Sequence, residues 1–111
     1  MPKQSELLLQ IKIVALLRKS GFLVFSVPNG IFVPNAKTRN DLIKSGLLSG
    51  VSDLIILCSS GKSFFVELKT DKGVQSERQK WFENEIKDLG HTYLIWRSVR
   101  ECSAWINKQK W

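Results

Sequence analysis

Apolar positions along this chain fall into stretches of helical and strand-like spacing, separated by short polar breaks. Over residues 5–19, Leu7, Leu8, Ile11, Val14, Ala15 and Leu17 recur at helical spacing, with Ser5 as N-cap and Gly21 as the stop. Arg18 and Lys19 suit the negative end of that helix. Phe22–Val27 is rich in β-branched and aromatic residues and predicts a strand, ended by Pro28, Asn29 and Gly30. From there to Gly50 the pattern is weak. A patternless segment of this length is uncommon inside a compact domain and is commonly functional, and it leaves room for a short helix between Arg39 and Lys44.

Val51–Cys58 is a near-continuous apolar run interrupted only by Ser52 and Asp53. A turn over Ser59–Lys62 leads into a second run, Ser63–Thr70. The two form a hairpin whose arms are apolar on both faces, as central strands are. After a loop over Asp71–Gln75, a helix is predicted from Ser76 to Leu89, opened by the capping-box pair Ser76 and Gln79 and closed by Gly90. Thr92–Trp96 predicts a fourth strand. Ser98 with Glu101 reads as a second capping box, opening a last helix through Ala104, Trp105 and Ile106. The order helix, strand, strand, strand, helix, strand, helix (αβββαβα) is an α/β layout, with a mixed four-stranded sheet flanked by helices.

The 111 residues are enough for one domain, expected to span 1–111. With 43% hydrophobic and 24% charged residues the usage is that of a globular chain. No apolar run reaches the roughly 18 residues of a membrane span. The polar start (Pro2, Lys3, Gln4, Ser5, Glu6) does not resemble a signal peptide, which makes the cytoplasm the expected compartment. Cys58 and Cys102 are too few and too isolated for a disulfide framework or a zinc site and are expected to pack. A net charge of +7 favours a polyanionic partner, nucleic acid first. The basic residues are scattered, unlike those of a membrane-surface helix.

The residues that change the picture are charges inside buried strands. Glu67 and Lys69 lie two apart and so project from one face of their strand, while Phe64, Val66 and Leu68 face the core. Buried charges are costly unless they are paired or hold a metal. Asp53, at the start of the partner strand, comes near both across the hairpin. Two carboxylates suit a hard divalent cation with oxygen ligands, to which the Leu68 carbonyl adds a further candidate. Such a cation activates water and neutralises a phosphodiester, with Lys69 placed to orient the attacking water. The alternative is a plain salt-bridge cluster at a sheet edge.

These residues carry a resemblance. Gly50-Val51-Ser52-Asp53-Leu54-Ile55-Ile56, then Phe65-Val66-Glu67-Leu68-Lys69-Thr70, then Gly73 with Ser76 and Gln79, resemble the VRR-NUC family of the PD-(D/E)XK nuclease superfamily, over Glu6 to Glu101. The resemblance implies a restriction-endonuclease-like core, a Mg²⁺ or Mn²⁺ ion on Asp53 and Glu67, and Lys69 as the catalytic lysine. It also implies a supporting place for Glu6 on the first helix near the metal, with Gln10 one turn on. Gln79 is implied to support the site or touch the phosphate. Ser52 stands where the family usually has proline, a position that shapes backbone and does no chemistry. Small stand-alone members, often from phages, look like homodimers that cut branched DNA such as four-way junctions; members with further domains act on flaps. The resemblance therefore implies a dimeric, metal-dependent endodeoxyribonuclease acting on branched DNA, with neither membrane nor small-molecule cofactor involved. A non-cleaving DNA-binding module of the same fold, and a nuclease for flaps or specific duplex sequences, are the other readings.

The lone histidine, His91, follows Gly90 at a strand start and is expected to be structural. Trp81, Trp96 and Trp105 fit core or interface packing, and Trp111 a dimer contact. Lys37, Arg39, Lys44, Lys72 and Arg78 are candidate phosphate contacts, and Asn29 and Gly30 candidate shapers of the loop beside the site.

Overall fold

The computed structural model describes residues 4–27 and 35–109. Pro28, Asn29 and Gly30, the first part of the long weak segment, and Trp111 lie outside the described residues. The elements are α1 (Gln4–Lys19), β1 (Leu23–Ser26), α2 (Ala36–Lys44), β2 (Leu54–Leu57), a 3-10 turn (Ser59–Gly61), β3 (Ser63–Leu68), α3 (Glu77–Asp88), β4 (Thr92–Trp96) and α4 (Val99–Lys108). The sheet order is β1-β2-β3-β4, antiparallel across the first two pairings and parallel between β3 and β4. It is the expected mixed four-stranded sheet with helices on both faces. The parallel step needs a crossover, which α3 supplies.

The short helix allowed for in the weak segment is α2. It starts three residues earlier than expected because Asn35 accepts a hydrogen bond from the Thr38 amide at 2.8 Å and so caps it. The full order thus carries one helix more than αβββαβα. Ser5 sits inside the first turn of α1, so it is not the cap. The Ser98–Glu101 box is half formed. Ser98 Oγ accepts from the Glu101 amide, whereas the Glu101 carboxylate takes the amide of Arg97 at 2.8 Å instead of that of Ser98.

The two faces of the sheet are unlike. On one, α1 and α4 cover a wholly apolar core of Ile13, Leu17, Phe22, Val24, Leu54, Ile56, Val66, Leu68, Trp96, Cys102 and Trp105. Trp105 closes it, with ring centroids 5.0 Å from Phe64, 5.1 Å from Phe22 and 5.6 Å from Trp96. The stripe that α1 buries is Leu9, Ile13, Leu16 and Leu17, whereas Leu7, Leu8 and Ile11 are exposed. α1 is apolar almost all round, so spacing alone does not choose its inner face; packing against β1, β3 and α4 does. On the other face, α3 alone covers Phe82, Ile86 and Tyr93, with Val51, Phe65 and Ile95 packed against them. Cys102 is buried and Cys58 half-buried against the core, both with free thiols. Among the described residues no helix is long and apolar enough to cross a membrane.

Candidate active site

Charge enters the sheet on the α3 side. β3 ends Val66-Glu67-Leu68 with all three residues buried, and Lys69 follows, also buried. Glu67 is 1% exposed and Lys69 9% exposed. Period two turns Val66 and Leu68 into the apolar core and leaves Glu67 and Lys69 together on the opposite face. Lys69 Nζ stands 3.6 Å from Glu67 Oε2.

Asp53 reaches the same place from β2. The β2–β3 register pairs Leu54 with Val66, so one further step sets Asp53 against Glu67. Its backbone is held by β1, the Val27 amide donating to the Asp53 carbonyl at 3.0 Å. Its Oδ2 accepts from the Leu68 amide at 2.7 Å. Ser52, fully buried before it, donates to the Leu54 carbonyl at 3.3 Å and fixes the approach to the strand. Asp53, Glu67 and Lys69 therefore meet, as the hairpin geometry predicts.

Both carboxyl groups resist ionisation. Burial, and next the charge of Asp53, push Glu67 up to about 8, while Lys69 pulls the other way. Burial also raises Asp53, against the opposing hydrogen bond from Leu68 and the charge of Lys69. With a proton on Glu67 the two carboxyl groups hydrogen-bond each other. Glu6, on the first turn of α1, adds a further negative charge felt by Asp53. Gln10 instead lines a groove between α1 and β1.

Such a donor set fits a small hard cation. When both are ionised, two close carboxylates carry more negative charge than one lysine neutralises, and all the donors are oxygen. Among the described residues no group of three or more His, Cys, Asp and Glu side chains is placed to hold a metal ion. No buried side-chain nitrogen or oxygen among the described residues lacks a hydrogen-bond partner.

α3 brings Gln79. Its Oε1 accepts from the Ser76 amide at 2.8 Å, completing the capping box, while its Nε2 donates to Glu67 Oε2 at 2.8 Å. One residue thus starts the helix and holds the carboxylate. Three further residues around the site carry no signal in the sequence. Tyr93 on β4, buried, donates to Glu67 Oε1 at 3.5 Å and accepts from Gln75 at 3.4 Å. Gln75 also donates to Glu83 at 3.0 Å. Arg97 Nη1 donates to the carbonyls of Thr70 and Gly73, at 2.8 and 2.7 Å, and clamps the loop after β3. Gly73 in that loop lies against the Lys69 stem, where a Cβ would come within 3.3 Å of Cδ. These partners are backbone carbonyls or residues distant in sequence, so no spacing announces them.

The other expected residues make contacts of their own elsewhere than with the acids. His91 is exposed, 3.4 Å from Ser63 Oγ and edge-on to Phe65. Trp96 and Trp105 are core, but Trp81 is exposed, with the Arg78 guanidinium 4.3 Å from its ring centroid. Lys37 pairs with Asp41 on the surface of α2.

No family profile matches this sequence, and no curated protein does. Two solved structures are similar along nearly the full length. One described as "VRR_NUC domain" superposes at TM-score 0.71 with 17% identity, covering 97% of this chain and 100% of the other. The second, "VRR_NUC domain protein", gives TM-score 0.74 with 14% identity, covering 97% and 89%. At these identities the likeness is one of fold.

Proposed function

With the fold shared with VRR_NUC domains as premise, we propose that this chain is a divalent-metal-dependent endonuclease that hydrolyses DNA phosphodiesters. The observation that carries the reading is the meeting of the buried Glu67 and Lys69, from the end of an otherwise apolar strand, with the half-buried Asp53 from the neighbouring segment. In this reading Asp53 and Glu67 hold Mg²⁺ or Mn²⁺, with the Leu68 carbonyl as a further ligand and Glu6 acting through water. When bound, the ion lowers the pKa of a coordinated water and neutralises charge on the phosphodiester. Lys69, its stem confined by Gly73, orients the attacking water and supports the negative charge that develops on the phosphate. Gln79 and Tyr93 each donate to one oxygen of Glu67 and hold the carboxylate in one orientation.

The substrate proposed is branched DNA, four-way junctions first, cut by a homodimer, because symmetric incision needs two centres related by a twofold axis. The outer face of α1 beside edge strand β1 supports such a pairing. Leu7, Ile11 and Phe25 are exposed there and line a groove of about 370 Å³. The test is cleavage of labelled immobile junctions and of linear duplex in Mg²⁺, Mn²⁺ or EDTA, with sedimentation of the same samples. Glu67→Ala and Lys69→Ala are expected to lose about a hundredfold or more in rate while keeping DNA binding. A parent protein that binds DNA without metal-dependent cutting would leave only the non-cleaving module. Equal cutting of both DNAs removes the junction preference.

A further inference from the structure

α3, which brings Gln79 to Glu67, also carries a second arrangement that the hydrolytic centre does not use. Arg78 and Trp81, one helical turn apart on α3, are both exposed, yet they are stacked, with the guanidinium carbon 4.3 Å from the indole centroid. Trp81 is 39% exposed, the largest residue type of the chain left at the surface of a helix. The stack is braced from outside α3. Arg78 Nε donates to Ser49 Oγ at 2.9 Å. Gly50, at φ +88°, runs so close that a Cβ there would collide with the Arg78 carbonyl. A surface arginine commonly spreads over many rotamers, whereas this one is held over the ring by a serine on another segment. Its two terminal nitrogens have no partner among the described residues.

The platform is tied to the acids on both sides. Arg78 precedes Gln79, which holds Glu67, and Gly50 lies three residues before Asp53. Three residues span at most about 11 Å, a reach of only a few nucleotides at about 3.4 Å per step. Planar cationic and aromatic groups held together in a basic chain suit one ligand chemistry. A nucleobase stacks on the plane, and the adjoining phosphate takes the unused guanidinium nitrogens. Bases inside an intact duplex have no open face to offer. We infer that Arg78 and Trp81 form a stacking site for an unpaired nucleotide next to the scissile phosphate, which selects DNA with unstacked bases over continuous duplex. This inference rests on the nuclease reading and adds to it the feature of the substrate that the protein recognises.

The test measures binding by fluorescence anisotropy in Ca²⁺, using a duplex interrupted by a short thymidine gap and the same duplex sealed. Trp81→Ala is expected to weaken binding to the gapped DNA about tenfold and to leave sealed-duplex binding unchanged. Trp81→Phe keeps most of the affinity, and Arg78→Lys, which retains the charge but not the plane, loses part of it. Thermal melting confirms that the variants fold. An equal loss on both DNAs, no loss on either, or a change in sedimentation of Trp81→Ala that marks the ring as a contact between copies overturns the stacking site. Failure of the parent protein to bind either DNA brings down the nuclease reading as well, and is thereby told apart from failure of the platform alone.

Discussion

The two faces of the sheet divide the work. The α1/α4 face is thick, apolar and closed by Trp105; the α3 face is thin, and its apolar residues share space with Glu67, Lys69, Gln79 and Tyr93. β3 serves both at once, because its alternate residues point to opposite sides. Val66 and Leu68 anchor the strand in the large core, which allows Glu67 and Lys69 to be held buried on the other side. Burying such charges costs free energy that the thin face does not recover by itself. The lesson is that stability concentrated on one face permits strained electrostatics on the other.

Truncation in the thick face should separate the two most sharply. Leu17→Ala is expected to lower unfolding free energy by about 2–5 kcal/mol in urea titration, with cleavage per folded molecule unchanged. Lys69→Ala should do the reverse. If Leu17→Ala abolished cutting in protein that remains folded, the division would not hold.

A second effect concerns pH. Glu67 is ringed by Asp53 from β2, Lys69 from β3, Gln79 from α3 and Tyr93 from β4, with Glu6 acting on Asp53 from α1. Its folded-state value of about 8 lies above the ordinary 4.5. Between those values the folded protein keeps a proton that the unfolded chain has released. This contribution to stability is whole below about pH 4.5 and is lost as pH rises through about 8. The melting temperature of chelator-treated protein should therefore fall across that window. Added Mn²⁺ should oppose the fall, and Glu67→Gln should flatten it. A flat profile in the chelated parent would show that the thin face carries no such electrostatic strain.

The smallest effect is expected at Gln79, which belongs to both the helix start and the charged cluster. Gln79→Ala removes the side-chain half of the capping box and a hydrogen bond to a buried carboxyl, a loss of about 1–2 kcal/mol by calorimetry. Mn²⁺ affinity should drop about 10- to 100-fold if Glu67 is a ligand. Loss of stability with metal affinity unchanged would assign Gln79 to capping alone.

Much of this was legible along the chain. Glu67 and Lys69 stand out because they interrupt an apolar run with period two, and Ser76 with Gln79 because a capping box is local. Asp53 followed from the turn at 59–62, which sets the hairpin register. The inner face of α1 was not legible, since Leu7, Leu8 and Ile11 are as apolar as Leu9, Ile13 and Leu16. Nor were Arg97, whose partners are carbonyls 24 and 27 residues earlier, or the contact of Trp81 with Arg78, since the sequence offers Trp81 only as a core or interface residue.

By itself the sequence determined the elements, the hairpin and the adjacency of Glu67 and Lys69, because helix and strand periods and turn chemistry act over a few residues. Only the tertiary structure decided which side of α1 is buried, that Tyr93 and Gln79 converge on one carboxylate, and that Ser49 braces Arg78 over Trp81. Those arrangements join residues 12 to 29 positions apart. Their geometry is set by how α3 and β4 close onto the sheet, and no local preference of the chain encodes that closure.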